Sequence, residues 1–246
     1  MVGGASPVLS TRAAVGAALV AGLGAYGALA DRLPGIPLGW DVALVALVLM
    51  PATFGLAALA LPLRVWQGLA PVGLSLALLA ALLDLAGLEV LANLAKVVAV
   101  TAIGFWFLSY FERPSWVVLV AAVIPVVDSL SVWRGPTREI VSDRPEVFGA
   151  LSIAFPVPDT GTFQLGLPDV LFLSIFLASA ARWGLRLVPT WLALVASFGI
   201  TMALAVWVDP FGLGGLPALP LLSLAFLGVN ADLLYRSLRS PEPEPA

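Results

Sequence analysis

Two carboxylates interrupt apolar sequence at places where a charge is expensive. Asp128 closes the apolar run in AAVIPVVDSLSVWRGP (121–136), and Asp169 opens the run in LGLPDVLFLSIF (165–176). Acids inside apolar helices face an interior or an aqueous cavity and usually carry a task. Two facing carboxyls in a low-dielectric site cannot both ionise easily, so they share one proton and titrate as a pair. Such a pair activates water through its anion and polarises a peptide carbonyl through its neutral acid. The composition removes most competing chemistry. Without His there is no Ser-His-Asp triad, no Ser-His dyad and no HExxH zinc site. Without Cys there is no disulfide and no thiolate nucleophile. A Ser-Lys dyad would have to use Lys96, the only lysine.

The elements that must position these acids are apolar helices. The chain is 61% hydrophobic and 11% charged, where a soluble domain carries about 25% charged residues, so the composition is that of a multi-pass protein of the cell membrane. The net charge of −3 and the lack of a long basic run argue against nucleic acid as a partner. Spans of about 20 apolar residues are expected over 13–30, 40–61, 67–87, 90–111, 114–133, 167–187, 189–208 and 214–235. Short connections punctuated by Pro, Gly or charge read as turns between antiparallel helices, among them Glu112-Arg113-Pro114 and Asp209-Pro210. Ala28-Leu29-Ala30 resembles a leader cleavage site, but the preceding stretch is long for a leader, and a retained first helix is expected. Glycines at 22, 24 and 27 point to close helix packing. Trp40, Trp66, Trp106, Trp116, Trp133 and Trp183 fall near span ends, as an interfacial aromatic belt would. The C-terminal segment 237–246 reads as a disordered tail.

The one long polar connection, 134–164, lies between the two acid-bearing spans and holds Arg134, Arg138, Glu139, Asp143, Arg144, Glu146 and Asp159. Its second half mixes apolar residues with Pro and Gly, which fits short strands or a lid. Asp128 precedes Arg134 by six residues, roughly 9 Å along a helix, so the chain before Asp169 must dip to meet it. Pro168 suits a first helical turn, where its missing N–H costs nothing. With both termini on one side, Arg12, Arg64, Arg113, Arg182, Arg186, Arg236 and Arg239 share that side, against Arg32, Lys96, Arg134, Arg138 and Arg144. That excess favours cytoplasmic termini and an external loop. Among the remaining polar residues, Asp84 and Glu89 bracket a turn, Asn93 and Lys96 sit at a helix start with Lys96 placed to pair with Glu89 or snorkel, and Asp232 is spaced to pair with Arg236.

Three stretches taken together resemble the presenilin and signal peptide peptidase family, the GxGD intramembrane aspartyl proteases. In that family an aspartate in one span, usually after Tyr, is followed by a GxGD aspartate in the next and a Pro-Ala-Leu motif in the last. Here the order is Val127-Asp128, Gly166-Leu167-Pro168-Asp169 and Pro217-Ala218-Leu219. The flanks DSLSVWRGPTREIV and FQLGLPDVLFLSIF also resemble the family, and the resemblance covers about 120–235. It implies an all-α, presenilin-like bundle with N-terminal scaffold helices (1–112) and catalytic helices (113–236). Its reaction would be endoproteolysis of transmembrane proteins or peptides, with Asp128 and Asp169 as the catalytic pair and no cofactor or metal. Gly166, Leu167 and Pro168, with Pro217, Ala218 and Leu219, would shape the site and place the substrate. Part of 134–164, or the stretch before Pro217, would pair with the extended substrate as an added strand. Val127 departs from the usual Tyr and Pro168 from the second Gly, and the family shows nine spans where this chain shows eight. Prepilin peptidases also use a membrane aspartate pair but lack a counterpart of Pro217-Ala218-Leu219. Two readings from other classes stay open: a proton- or cation-coupled transporter or channel, and an inactive presenilin-like scaffold.

Overall fold

The computed structural model describes residues 7–135, 143–158, 161–208 and 216–239. Arg138, Glu139, Asp159, the Asp209-Pro210 turn and residues 240–246 lie outside the described residues. The described chain is an α-helical bundle with one β-hairpin. In order it runs α1 (Pro7–Leu29), α2 (Leu38–Leu59), α3 (Leu69–Leu85), α4 (Glu89–Leu108), α5 (Pro114–Arg134) and the short α6 (Pro145–Ala150). Strands β1 (Ser152–Val157) and β2 (Gly161–Gly166) follow, then α7 (Leu167–Arg182), α8 (Leu187–Trp207) and α9 (Leu219–Arg239).

Each expected span coincides with one helix, but the helices are not equal. Six are long and apolar enough to cross a membrane: Thr11–Arg32, Leu38–Leu59, Glu89–Leu108, Pro114–Arg134, Leu187–Trp207 and Leu219–Arg239. The other two fall short of the lengths expected from sequence. α3 ends at Leu85 because Gly87, at φ 72°, turns the chain into α4. α7 has 16 residues and ends before Gly184, at φ 65°. The last helix runs past the expected boundary, through Ser237 to Arg239, with Arg236 and Arg239 in its final turn, where cations favour the helix dipole.

Prolines leave local marks. In α2 a π-turn over Val45–Leu49 lies immediately before Met50 and Pro51. Pro51 has no N–H for the i→i−4 ladder, and a wider turn absorbs the missing rung. Pro125 sits inside α5 and removes a rung one turn before Asp128.

α7 is the centre of the bundle. Val170 and every residue from Leu173 to Ala180 are buried, so the helix is covered all round rather than along one stripe. α4 packs along it in parallel: Ser174 Oγ meets Thr101 Oγ1 at 3.4 Å, and farther along Arg182 donates to the Leu108 carbonyl at 2.9 Å. Gly104 makes this approach possible, since a Cβ there would stand 3.0 Å from both the Leu171 carbonyl oxygen and Ser174 Cβ. Phe176 stacks on Phe226 of α9 with ring centroids 4.5 Å apart. Of the α1 glycines, Gly27 and Gly24 do face α4, at Val90 and Leu94, whereas nothing approaches Gly22.

Ion pairs join helices rather than turns of one helix. Asp232 pairs with Arg186 at the start of α8, at 2.7 and 2.9 Å, not with Arg236. Arg186 is drawn there because its backbone N–H also donates to Asn230, whose amide holds Thr190 and the Phe226 carbonyl. Lys96 is buried and pairs with Asp84 of α3, not with Glu89.

Gly104→Leu is expected to destabilise the bundle by about 1–3 kcal/mol, because backbone of α7 must move to admit the side chain. Thermal unfolding of the detergent-solubilised variant checks this; an unchanged midpoint would mean α4 and α7 do not pack this closely.

Candidate active site

Asp169 lies in the first turn of α7, directly after β2. Pro168 occupies the first turn beside it, at a position whose N–H no helix uses, so its replacement of Gly leaves the helix start intact. Gly166 caps this start with φ −61° and ψ 140°, angles any residue adopts. Its lack of a side chain matters for room instead. A Cβ at Gly166 would stand 3.1 Å from Asp169 Oδ2, and the Gly166 backbone N–H donates to the Asp169 carboxylate.

Asp128 lies in the last two turns of α5 and is half-buried. Its Oδ2 accepts the backbone N–H of Leu219 at 3.2 Å, across 91 residues of sequence. Leu219 is the first residue of α9, and Ala218 and Leu219 are buried. Asp128 therefore caps α9 from another helix, satisfying one of the amides that a helix start leaves open. This bond explains why Pro217-Ala218-Leu219 belongs with the acids. It places the motif against α5, which packs chiefly on α9. Ser129, Val132, Trp133 and Pro217 line a cleft of about 140 Å³ alongside.

The two aspartates come together. The charge of Asp128 acts on Asp169, although α5 and α7 touch each other only sparsely. Leu167 is partly buried beneath the pair's strand-helix junction, its N–H held by the Leu151 carbonyl at 2.9 Å. Of the eight residues singled out by sequence, seven thus occupy two junctions, β2–α7 and the start of α9, and the eighth, Asp128, lies toward the end of α5. Val127 is half-exposed on α5.

The second half of 134–164 forms short strands, as its mix of apolar residues with Pro and Gly suggested: the segment before Asp169 is β2, paired antiparallel with β1 in the register Ser152↔Gly166, Ala154↔Gln164 and Pro156↔Thr162. Sequence reading missed what holds this hairpin. Asn93 of α4 both donates to the Ala154 carbonyl (3.3 Å) and accepts from its N–H (3.2 Å). Lys96 donates to the carbonyls of Gly149 (3.0 Å) and Ser152 (3.2 Å), and Tyr26 of α1 donates to that of Pro156 (2.8 Å). The only sequence signal was polarity, an amide and an ammonium three residues apart in an apolar helix. Asp41, fully buried in the first turn of α2, also passed unnoticed in sequence.

Models of known protein families give no match to this sequence, and no curated protein matches it.

The capping role of Asp128 is testable without any activity. Asp128→Asn keeps an acceptor oxygen for Leu219; Asp128→Ala does not. The Leu219 amide is expected to exchange with solvent several-fold faster in Asp128→Ala, a loss of about 1 kcal/mol typical of a helix cap, and near the wild-type rate in Asp128→Asn. Equal exchange in all three proteins would remove Asp128 from the start of α9.

Proposed function

We propose that this protein is an intramembrane aspartyl endopeptidase, related to the presenilin and signal peptide peptidase family, that cleaves transmembrane segments with two aspartates and a water. The observation that carries the reading is the convergence of three distant stretches: Asp128 caps α9 at Leu219, the charge of Asp128 acts on Asp169, and the Gly166 N–H donates to Asp169. A helix cap alone would explain one of these contacts. It would not explain why the second acid stands within reach of the first.

In the proposed reaction the ionised carboxyl of the pair takes a proton from water as the water oxygen attacks the peptide carbonyl carbon. The protonated carboxyl hydrogen-bonds the carbonyl oxygen and gives it its proton as the tetrahedral intermediate forms. Collapse breaks the C–N bond: the departing nitrogen takes up the proton held by the first carboxyl, and one hydroxyl of the intermediate returns its proton to the second carboxyl, leaving a carboxylic acid and an amine and restoring the pair. The backbone donors on the two aspartates, Leu219 and Gly166, fix the carboxyls without adding a titrating group.

A helical substrate hides its backbone in its own hydrogen bonds, so it must be extended before attack. β2 offers a place for this. Residue 154 of β1 spends both its N–H and C=O on Asn93, so it faces away from β2, and by alternation Thr162 and Gln164 face outward on the far edge. Their backbone groups have no partner among the described residues, and the edge runs directly into the Asp169 turn. An unwound segment adding there would lie in line with the carboxyls.

Membrane insertion follows from the six long apolar helices, with α3 and α7 inside the same bundle. Arg64, Arg182 and Arg186 lie at the end of the bundle away from the hairpin, where Arg64 reaches the Ala181 carbonyl and Arg182 the Leu108 carbonyl. The proposed orientation puts that end in the cytoplasm and the hairpin outside.

Cleavage of a single-span substrate by purified protein in liposomes is the direct test. Asp128→Ala and Asp169→Ala are each expected to abolish product while the folded fraction stays as in wild type. Retained cleavage in both variants, or pH-dependent ion flux that Asp128→Asn removes without any peptide product, would overturn the reading. Gly166→Ala should cut turnover by about tenfold or more, since its methyl group displaces the Asp169 carboxyl and a misplacement near 1 Å costs up to a hundredfold. Turnover equal to wild type would mean that the close approach of Gly166 to Asp169 is not needed.

A further inference from the structure

A free hairpin presents two open edges, and either can accept a strand. In this protein the edges differ. Of the outward groups of β1, the carbonyls of Ser152, Ala154 and Pro156 and the N–H of Ala154 are taken, by Lys96, by both atoms of the Asn93 amide and by Tyr26, and the remaining outward N–H belongs to Ser152, which is buried. Pro156, outward as well, has no N–H to satisfy. Asn93 stands in for a neighbouring strand, because one carboxamide supplies the donor and acceptor that a paired residue would supply. Lys96 is fixed in turn by Gly149 and by Asp84 of α3, 3.6 Å away, so its ammonium is committed to this corner. On β2 the outward groups at Thr162 and Gln164 are open and exposed. Only this edge leads to Asp169.

We propose that Tyr26, Asn93 and Lys96 act as a guard that closes the β1 edge, so that an extended polypeptide adds along β2 alone and is cut in a single register. They are positioning residues: none touches the aspartates, and their effect passes through the hairpin. This inference rests on the protease reading for its consequence, but the guard itself is a property of the hairpin and can be tested separately.

The polypeptide partner is one with an unwound, extended segment beside a transmembrane helix, since a continuous helix has no free backbone groups to offer. Thr162 and Gln164 turn their backbone groups toward a strand added on β2, so backbone pairing holds it.

Two measurements on the full chain decide the matter. The first is amide exchange in detergent. In wild type Ala154 is expected to exchange slowly and Gln164 fast, and a single-span peptide with a Gly-rich extended segment is expected to slow Gln164 without changing Ala154. Asn93→Leu should speed Ala154 about tenfold, the effect of losing two modest hydrogen bonds, while Leu219 at the far junction is unchanged. Slow exchange at Ala154 in Asn93→Leu, or protection by the peptide at Ala154 rather than Gln164, would overturn the guard.

The second measurement is cleavage, with active sites titrated by a transition-state-type aspartyl inhibitor. Asn93→Leu and Lys96→Met should raise KM several-fold, leave kcat per titrated site within about twofold, and spread the cut over additional positions; Lys96→Arg should restore the single cut. A fall in titrated sites with unchanged KM and unchanged cut position would mean that these residues only support folding, and the proposal fails. If wild type cleaves nothing, the protease reading fails, and the exchange rates at Ala154 and Gln164 still decide whether one edge is guarded.

Discussion

The burial of α7 on every side is the constraint from which the rest of the architecture follows. A helix covered all round cannot carry a charge along its length, so its one acid has to sit in the first turn, where the open amides and the positive end of the dipole favour it. At two places around it only glycine fits. Gly104 on α4 and Gly166 at the cap are the two positions where the space runs out, one against the Leu171 backbone and the other against the Asp169 carboxyl. The same packing that makes the helix central therefore fixes where its carboxyl can be.

The hairpin is held by polar side chains from helices that are otherwise apolar. Buried backbone groups must find partners. Tyr26, Asn93 and Lys96 provide them on one side of the sheet, and Leu167 continues the ladder to Leu151 at its base. What is left over is one row of donors and acceptors on β2. In the proposed reaction that asymmetry is useful, because a substrate strand has one place to go and that place ends at the carboxyls.

At the other end of the bundle, arginines fasten helix ends to one another. Arg64 and Arg182 reach the carbonyls of Ala181 and Leu108, oxygens that a helix C-terminus leaves open, and Arg186 reaches the Val229 carbonyl within α9. Three arginines thus tie together one end of the bundle, while Asp128 and Asp169 lie at the other, where α5, α7 and α9 meet. The long apolar helices between them expose Leu, Val and Trp side chains, among them Trp40, Trp116 and Trp133 near helix ends, as a bilayer interface would require.

Sequence determined the helices, because apolar length and the Pro, Gly and charge between runs are local properties; each expected span has its helix. It also singled out Asp128 and Asp169, since acids in apolar surroundings are conspicuous, whereas Pro217-Ala218-Leu219 stood out only by its resemblance to a family motif. Tertiary structure decided what local pattern cannot carry. Lys96 and Asp232 took partners on other helices, Asp84 and Arg186, because a neighbouring helix offered a buried or bidentate site that the turn above did not. The segment before Asp169 is a strand because β1 supplies its hydrogen bonds, and β1 is held in turn by Asn93, Lys96 and Tyr26 from distant parts of the chain. The bond from Leu219 to Asp128 spans 91 residues, and no spacing rule reaches that far. Local periodicity fixes which segments coil; only packing fixes which of their few polar groups meet.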